Sequence, residues 1–121
     1  MTKICGLDYS PVFCPIVADY YAGMEVTVSL CNNDINAVKE CYADYYHDGV
    51  IHFSENADEG GFLSAGKFAG RDDLEISVYG NNERILLVSR FDNLGKGASG
   101  AAIQNMNILL DVDETEGLNV R

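Results

Sequence analysis

Two runs of alternating or apolar residues, joined by a short polar turn, feed directly into a glycine-rich stretch, and this junction constrains the fold most. Leu74-Glu75-Ile76-Ser77-Val78-Tyr79 alternates with period two, Gly80-Asn81-Asn82-Glu83 supplies turn chemistry, and Arg84–Phe91 returns as a more continuously apolar strand. The second strand delivers Asp92-Asn93-Leu94-Gly95-Lys96-Gly97-Ala98-Ser99-Gly100. Beyond it Ala101, Ala102, Ile103, Met106 and Leu110 recur at helical spacing. A strand, a glycine loop and a helix start in succession expose backbone N–H groups beside the positive end of a helix dipole, which suits an anionic or strongly polar ligand. The alternative is a glycine-rich helix start packed in a tight corner.

Gly95 to Gly100 satisfies G-x-G-x-x-G literally. A dinucleotide fingerprint also needs a following strand with an acidic residue at its end, and no second strand follows Asp111–Leu118. A P-loop is excluded, because no Gly-Lys-Ser/Thr occurs.

The remaining chain reads as α+β. Pro11–Val17 is an extended segment that Pro15 confines to an edge or bend, and Tyr20, Tyr21 and Gly23 form the bend before Met24–Leu30, an alternating strand. Asn32-Asn33-Asp34 is a helix N-cap cluster. Ile35, Val38, Tyr42 and Tyr45 give that helix one apolar face, read as core packing against a sheet, and His47-Asp48-Gly49 ends it, with His47 favoured by the dipole. Val50–Phe53 is a short strand with His52 toward solvent or a sheet edge. Ser54–Gly61 is an acidic loop, Phe62–Ala65 begins another extended piece, and Lys67 and Arg71 are read as solvated rather than anion-binding. The expected architecture is a mostly antiparallel sheet, one amphipathic helix and a C-terminal helix over 97–111, within a domain 1–111 followed by an acidic tail, 112–121, that frays unless Leu118 docks.

A net charge of −11 disfavours nucleic acid and anionic membrane as partners. Met1–Cys5 is not followed by the apolar core of a signal peptide, and no apolar run reaches the length of a membrane span. Cys5, Cys14, Cys31 and Cys41 lack C-x-x-C spacing and are read as reduced cytoplasmic thiols. Cys14 is read as a small core residue rather than a nucleophile. Two histidines on separate elements and no D-x-D-x-D-G loop give no metal site.

Asp92-Asn93-Leu94-x-Lys96-Gly97-Ala98-Ser99-Gly100-x-Ala102-x-Gln104-Asn105-Met106-Asn107, with Asp113-Glu114-Thr115-x-Gly117-Leu118, closely resembles the C-terminal signature of N-acetyl-gamma-glutamyl-phosphate reductase. A looser form occurs in aspartate-semialdehyde dehydrogenase, which leaves a fragment of that relative as an alternative. Phe13–Met24 is similar to a family segment in which many members read Phe-Thr-Pro-His and then Arg-Gly-Ile. Ile16 and Ala22 stand in place of that His and Arg, so neither position implies a substrate contact. Glu59–Ser64 through Leu74–Ile76 is similar too.

The resemblance implies a glyceraldehyde-3-phosphate-dehydrogenase-like substrate and dimerisation domain, with helix 97–111 packing on a Rossmann domain. It implies NADP as cofactor of the intact enzyme, bound weakly or not at all by this fragment alone, together with a small-molecule substrate, a homo-oligomer, and a place in arginine biosynthesis as a cytoplasmic oxidoreductase. Asn93 would bond the nicotinamide carboxamide, and the loop carrying Lys96 and Gly97 would border the nicotinamide and the cofactor phosphates. The family's Rossmann motif, its nucleophilic cysteine in Pro-Gly-Cys-Tyr-Pro and its base in His-Arg-His-x-Pro-Glu do not occur in these 121 residues. The chain therefore reads as a fragment of about the last third of such an enzyme, with no catalytic residue of its own and negligible activity alone. The competing reading is a non-catalytic oligomerisation or interaction module.

Overall fold

The computed structural model describes residues 1–47 and 49–120. Asp48, read as part of the helix stop, and Arg121, the last residue of the acidic tail, lie outside the described residues. A single turn, α1 (Thr2–Cys5), is followed by β1 (Met24–Cys31), α2 (Ile35–Tyr45), β2 (Ile51–Phe53) and a 3-10 turn (Ala65–Phe68). Then come the hairpin β3 (Leu74–Gly80) and β4 (Arg84–Phe91), a wide turn (Gly95–Ser99) and α3 (Gly100–Leu109).

The hairpin forms as its alternation requires. Asn81 and Arg84 exchange backbone bonds of 2.9 and 3.1 Å, and the Asn81 side chain accepts from the N–H groups of Glu83 and Arg84. α2 starts where the cap cluster puts it: Asp34 is extended, and its carboxylate accepts from Asn36 N at 2.9 Å. At the other end of α2 the His47 ring stands 2.9 Å from the carbonyl oxygen of Asp44. The four strands lie in the order β1-β4-β3-β2. β1–β4 and β4–β3 are antiparallel, but β2 pairs parallel to β3, His52 opposite Glu75. The sheet is thus mixed rather than mostly antiparallel. Residues 54–73 form a crossover long enough to return the chain in the same direction, which a tight turn cannot do.

The sheet has two unlike faces. On one, Val78, Ile85, Ile76 and Phe53 meet α2, with Tyr42 stacked on Phe53 at 6.4 Å between ring centroids. α2 packs mainly on the β2–β3 side. Met24, Val26 and Val28 on β1 are 40–49% exposed, and at the far end of the tyrosine row Tyr45 is 76% exposed. On the opposite face Glu75, Ser77, Val88 and Arg90 are buried beneath the crossover, together with Phe68 and Ala57. Among the described residues as many polar as apolar side chains are buried, six of each, so charge pairing matters here as much as apolar area.

Three expectations are corrected. Pro11–Val17 pairs with nothing, and Val12, Ile16 and Val17 are at least 87% exposed. Phe62–Ala65 is not a strand but the approach to the 3-10 turn. The tail does not fray. Asn107 Nδ2 donates to the carbonyls of Glu114 and Glu116, Gln104 to Glu114 Oε2 at 2.8 Å, and Asn119 N to Asp72 Oδ2 at 2.9 Å. Side-chain amides on α3 and the backbone N–H of Asn119 hold the acidic chain, a pattern that composition does not reveal.

Candidate functional site

The wide turn after β4 arises from hydrogen bonds spanning five residues: Gly97 N to Asp92 O at 2.8 Å, and Ser99 N to Leu94 O at 3.2 Å. Such widened turns are rare and recur at functional sites. Their amides are already engaged here. The buried Asp92 carboxylate accepts from Leu94 N at 2.7 Å, from Gly95 N at 3.2 Å and from Gly70 N. Burial pushes this carboxyl up, but the three N–H groups outweigh it and hold it below its ordinary range.

The glycines are filled as well. A Cβ on Gly95 would lie 2.3 Å from the Arg71 carbonyl oxygen, and one on Gly100 would lie 2.3 Å from Asp72 Oδ1. The crossover therefore seats its backbone and a carboxylate against the start of α3, where a ligand anion would otherwise sit. Of the two readings of the glycine loop, the tight corner describes this geometry.

The three residues expected at a cofactor take different positions. Asn93 Oδ1 accepts from Gly23 N at 2.9 Å. A backbone N–H bonds only an acceptor, so this contact fixes which end of the carboxamide faces Gly23 and leaves Nδ2 as an unused donor. Asn93 lines a cleft of about 680 Å³ with Cys14, Tyr20, Tyr21, Met24, Glu25 and others. Gly23 has φ +116°, and a Cβ there would lie 2.3 Å from Ala65 O, so only glycine brings this bend so close to the crossover.

Lys96 points elsewhere. Its Nζ donates to Gln104 Oε1, and burial lowers its pKa against the opposing pull of Glu114 and Asp72. Gly97 packs its backbone on the Phe91 ring, 3.2 Å from where a Cβ would stand. The structure brings Asn93 to a cleft and leaves Lys96 and Gly97 on the helix side.

The cleft's second wall depends on a charge network that the alternation of β3 and β4 does not disclose. Arg90, fully buried, donates to Glu75 Oε1 at 2.6 and 3.1 Å, to Glu59 Oε1 at 2.9 Å, and to the carbonyls of Ala57 and Ser64. Lys67 Nζ lies 3.2 Å from Glu59 and 3.7 Å from Glu75, so it is neither solvated alone nor an anion site. Burial raises the Glu59 carboxyl, yet Ser64 N–H, Arg90 and Lys67 together hold it low. Arg71 pairs with Asp73 and lies over Phe68, 4.3 Å from the ring centroid. His52 on edge strand β2 sits 3.9 Å from Asp73 Oδ2. An arginine inside a buried strand needs a carboxylate partner, and that was the available sequence signal. The network pins 57–64 to the sheet and so holds Ala65 against Gly23.

Cys14 is exposed rather than in a core, as are Cys5, Cys31 and Cys41, and all four are free. Among the described residues no three His, Cys, Asp or Glu side chains cluster in a way that could hold a metal, and no helix is long and apolar enough to cross a membrane.

No protein-family model matches the chain. Curated proteins do. It is 37% identical over 132 residues to N-acetyl-gamma-glutamyl-phosphate reductase 2 of Nostoc sp., covering 98% of this chain and 41% of that protein. It is 36% identical to the N-acetyl-gamma-glutamyl-phosphate reductase of Trichormus variabilis with the same coverage. To that of Sinorhizobium medicae it is 35% identical over 116 residues, 86% of this chain and 37% of the relative. The similarity thus runs to N-acetyl-gamma-glutamyl-phosphate reductases over nearly all of this chain, which spans about two fifths of the length of the curated relatives it matches.

Proposed function

We propose that the chain is the C-terminal portion of an NADPH-dependent N-acetyl-gamma-glutamyl-phosphate reductase, the enzyme that converts an acyl phosphate to a semialdehyde in arginine biosynthesis. The observation that carries this reading is the similarity across 98% of the chain at 36–37% identity. Within such an enzyme this portion supplies one wall of the cofactor site. Bound NADPH would supply the hydride, and Asn93 would hold and orient its nicotinamide. With Oδ1 fixed by Gly23, Nδ2 is free to donate to the carboxamide oxygen.

The cleft fits the uncharged end of the cofactor better than its phosphates. No Lys or Arg lines it, and the one charged side chain in its wall, Glu25, is a carboxylate. The loop amides that could cradle phosphate are spent on Asp92, and Lys96 is spent on Gln104. Phosphate binding then falls to the part of the enzyme outside this sequence, and Lys96 and Gly97 support the helix start beside the nicotinamide. Catalysis falls there too. Cys14 has no histidine beside it in the cleft to take its proton, so this chain does not form the acyl-enzyme.

The test is the reading frame upstream of Met1, expressed as one polypeptide and assayed for phosphate-dependent reduction of NADP by N-acetylglutamate semialdehyde. The expected result is activity in the extended polypeptide and none in the 121 residues alone. An upstream frame with no cysteine and histidine segments contradicts the reading. A second reading, an oligomerisation module, is favoured by the outward side of α3, where Met106, Ile108, Leu109 and Leu110 are 52–85% exposed. Sedimentation as a tight oligomer without NADPH affinity would support it.

A further inference from the structure

The sheet sets three charged side chains in one row. Glu25 on β1, Arg90 on β4 and Glu75 on β3 are register partners, so they share the face that the crossover covers. Arg90 stands between two carboxylates and bonds only one of them. Its Nε and Nη2 donate to Glu75, Nη1 donates to Glu59 and to the carbonyl of Ser64, and Nη2 also donates to the carbonyl of Ala57. A guanidinium carries five N–H groups, and these contacts use all of them. Nothing is left for Glu25.

The network is balanced without it. Arg90 and Lys67 supply two positive charges, Glu59 and Glu75 two negative ones, at separations of 2.6–3.7 Å. Among the described residues Glu25 enters no ion pair, and the hydrogen bond it accepts, from Thr27 Oγ1, is 3.5 Å long. That is too long to be a strong bond. Its charge is therefore uncompensated, and it lies in the wall of the cleft that Asn93 lines. Gly23 N is bonded to Asn93 Oδ1, and Glu25 follows two residues later, about 7 Å on at the rise of a strand. A nicotinamide held by Asn93 Nδ2 lies nearer to this charge than the roughly 8–10 Å over which salt screens it.

We propose that the Glu25 carboxylate reads the charge of the nicotinamide ring, favouring the cation that hydride transfer leaves behind over the neutral dihydro ring. The inference rests on the reading of Asn93 as the nicotinamide contact. In the reduction the ring's C4–H bond breaks and its hydrogen and both electrons go to the acyl carbon. The bond from that carbon to its leaving group breaks with the electron pair on the leaving group, and the ring is left with one positive charge. A fixed carboxylate beside the ring stabilises that second state and not the first, so it lowers the barrier and holds oxidised cofactor more tightly than reduced. At about 7 Å, Coulomb's law gives a preference between about threefold in a water-like medium and about fiftyfold at the effective dielectric of a protein surface.

The experiment is a 15N-resolved NMR titration of the 121-residue chain at neutral pH with two probes. Both are nicotinamide methylated on the ring nitrogen: the oxidised form is a cation, the dihydro form is neutral and nearly the same shape. The Asn93 side-chain amide reports binding in the cleft. The cation should bind at least about threefold more tightly at low salt, and added salt should narrow the difference. Glu25→Gln, at an exposed and unpaired position, should bring the two affinities together, and Glu25→Asp should keep part of the preference. Glu40→Gln removes the same charge from an exposed position on α2 and should leave the preference unchanged, which separates a local effect from the net charge of −11. Equal affinities with both probes shifting Asn93 overturn the inference and leave the reading of Asn93 standing. A preference that Glu25→Gln keeps, or that Glu40→Gln removes as fully, overturns it too. If neither probe moves the Asn93 amide, the nicotinamide reading itself fails and the inference falls with it.

Discussion

Arg90→Met probes the link between the charge network and the site. Arg90 is fully buried and Glu75 is 4% exposed, so removing the guanidinium strands a carboxylate with only Lys67, at 3.7 Å, as counter-charge. Breaking a buried pair from one side costs about 3–5 kcal/mol. Ala57 O, in a residue 2% exposed, also loses its 2.7 Å donor, although Lys67 Nζ remains 3.4 Å away. Against a typical domain stability of about 5–15 kcal/mol this is a large fraction. The double variant Arg90→Met, Glu75→Met leaves no buried charge and should recover more than half of the loss, because apolar replacement of a buried pair is often near neutral.

Urea unfolding of the three proteins followed by circular dichroism reads all of this. A single variant costing less than about 1 kcal/mol, or a double variant as unstable as the single, refutes the reasoning. The functional consequence passes through Ala57, Glu59 and Ser64, which Arg90 holds. Once they loosen, Ala65 no longer backs Gly23, and Asn93 loses its orientation.

Other outcomes follow from the same geometry. Asp92→Asn keeps one acceptor where three N–H groups converge and should cost about 2 kcal/mol at neutral pH. Because the native carboxyl is held below its ordinary 3.8, wild-type stability from this group is lost as pH falls through that depressed value, and the gap to Asp92→Asn closes only below about pH 4. Gly95→Ala meets a backbone carbonyl that cannot turn aside and should cost about 1–3 kcal/mol. Gly100→Ala meets the Asp72 carboxylate first, at 2.3 Å, whereas Gly95→Ala meets it only at 2.9 Å behind the Arg71 carbonyl, so Asp72→Ala should relieve Gly100→Ala more than Gly95→Ala in denaturation midpoints. Asn93→Asp can still accept from Gly23 N but cannot donate, so it should change stability by less than about 1 kcal/mol while abolishing any nicotinamide contact.

What the sequence disclosed was local. Alternation and turn chemistry found the hairpin, and Asp34 found the start of α2, because each signal lies within a few residues of its effect. The parallel partner of β2 was not legible, since three residues carry no pairing address and the crossover that decides direction is twenty residues of irregular chain. Asn93 was found through family resemblance, and the bond that orients it comes from Gly23, seventy residues away. Literal G-x-G-x-x-G spacing suggested an open cradle. The groups that fill it, Arg71 and Asp72, sit in a stretch that reads as surface. The acidic tail looked free for the same reason: Asn119 and Asp72 hold each other across the fold.

The most direct test of the central claim is a 15N-resolved NMR titration of this chain with NADPH to millimolar concentration. The claim predicts that the Asn93 side-chain amide shifts together with Gly23, Tyr20 and Met24, that Gly97–Gly100 stay in place, and that Asn93→Asp removes the response. A silent Asn93 amide, or shifts centred on Lys96 and the glycine loop, would contradict it.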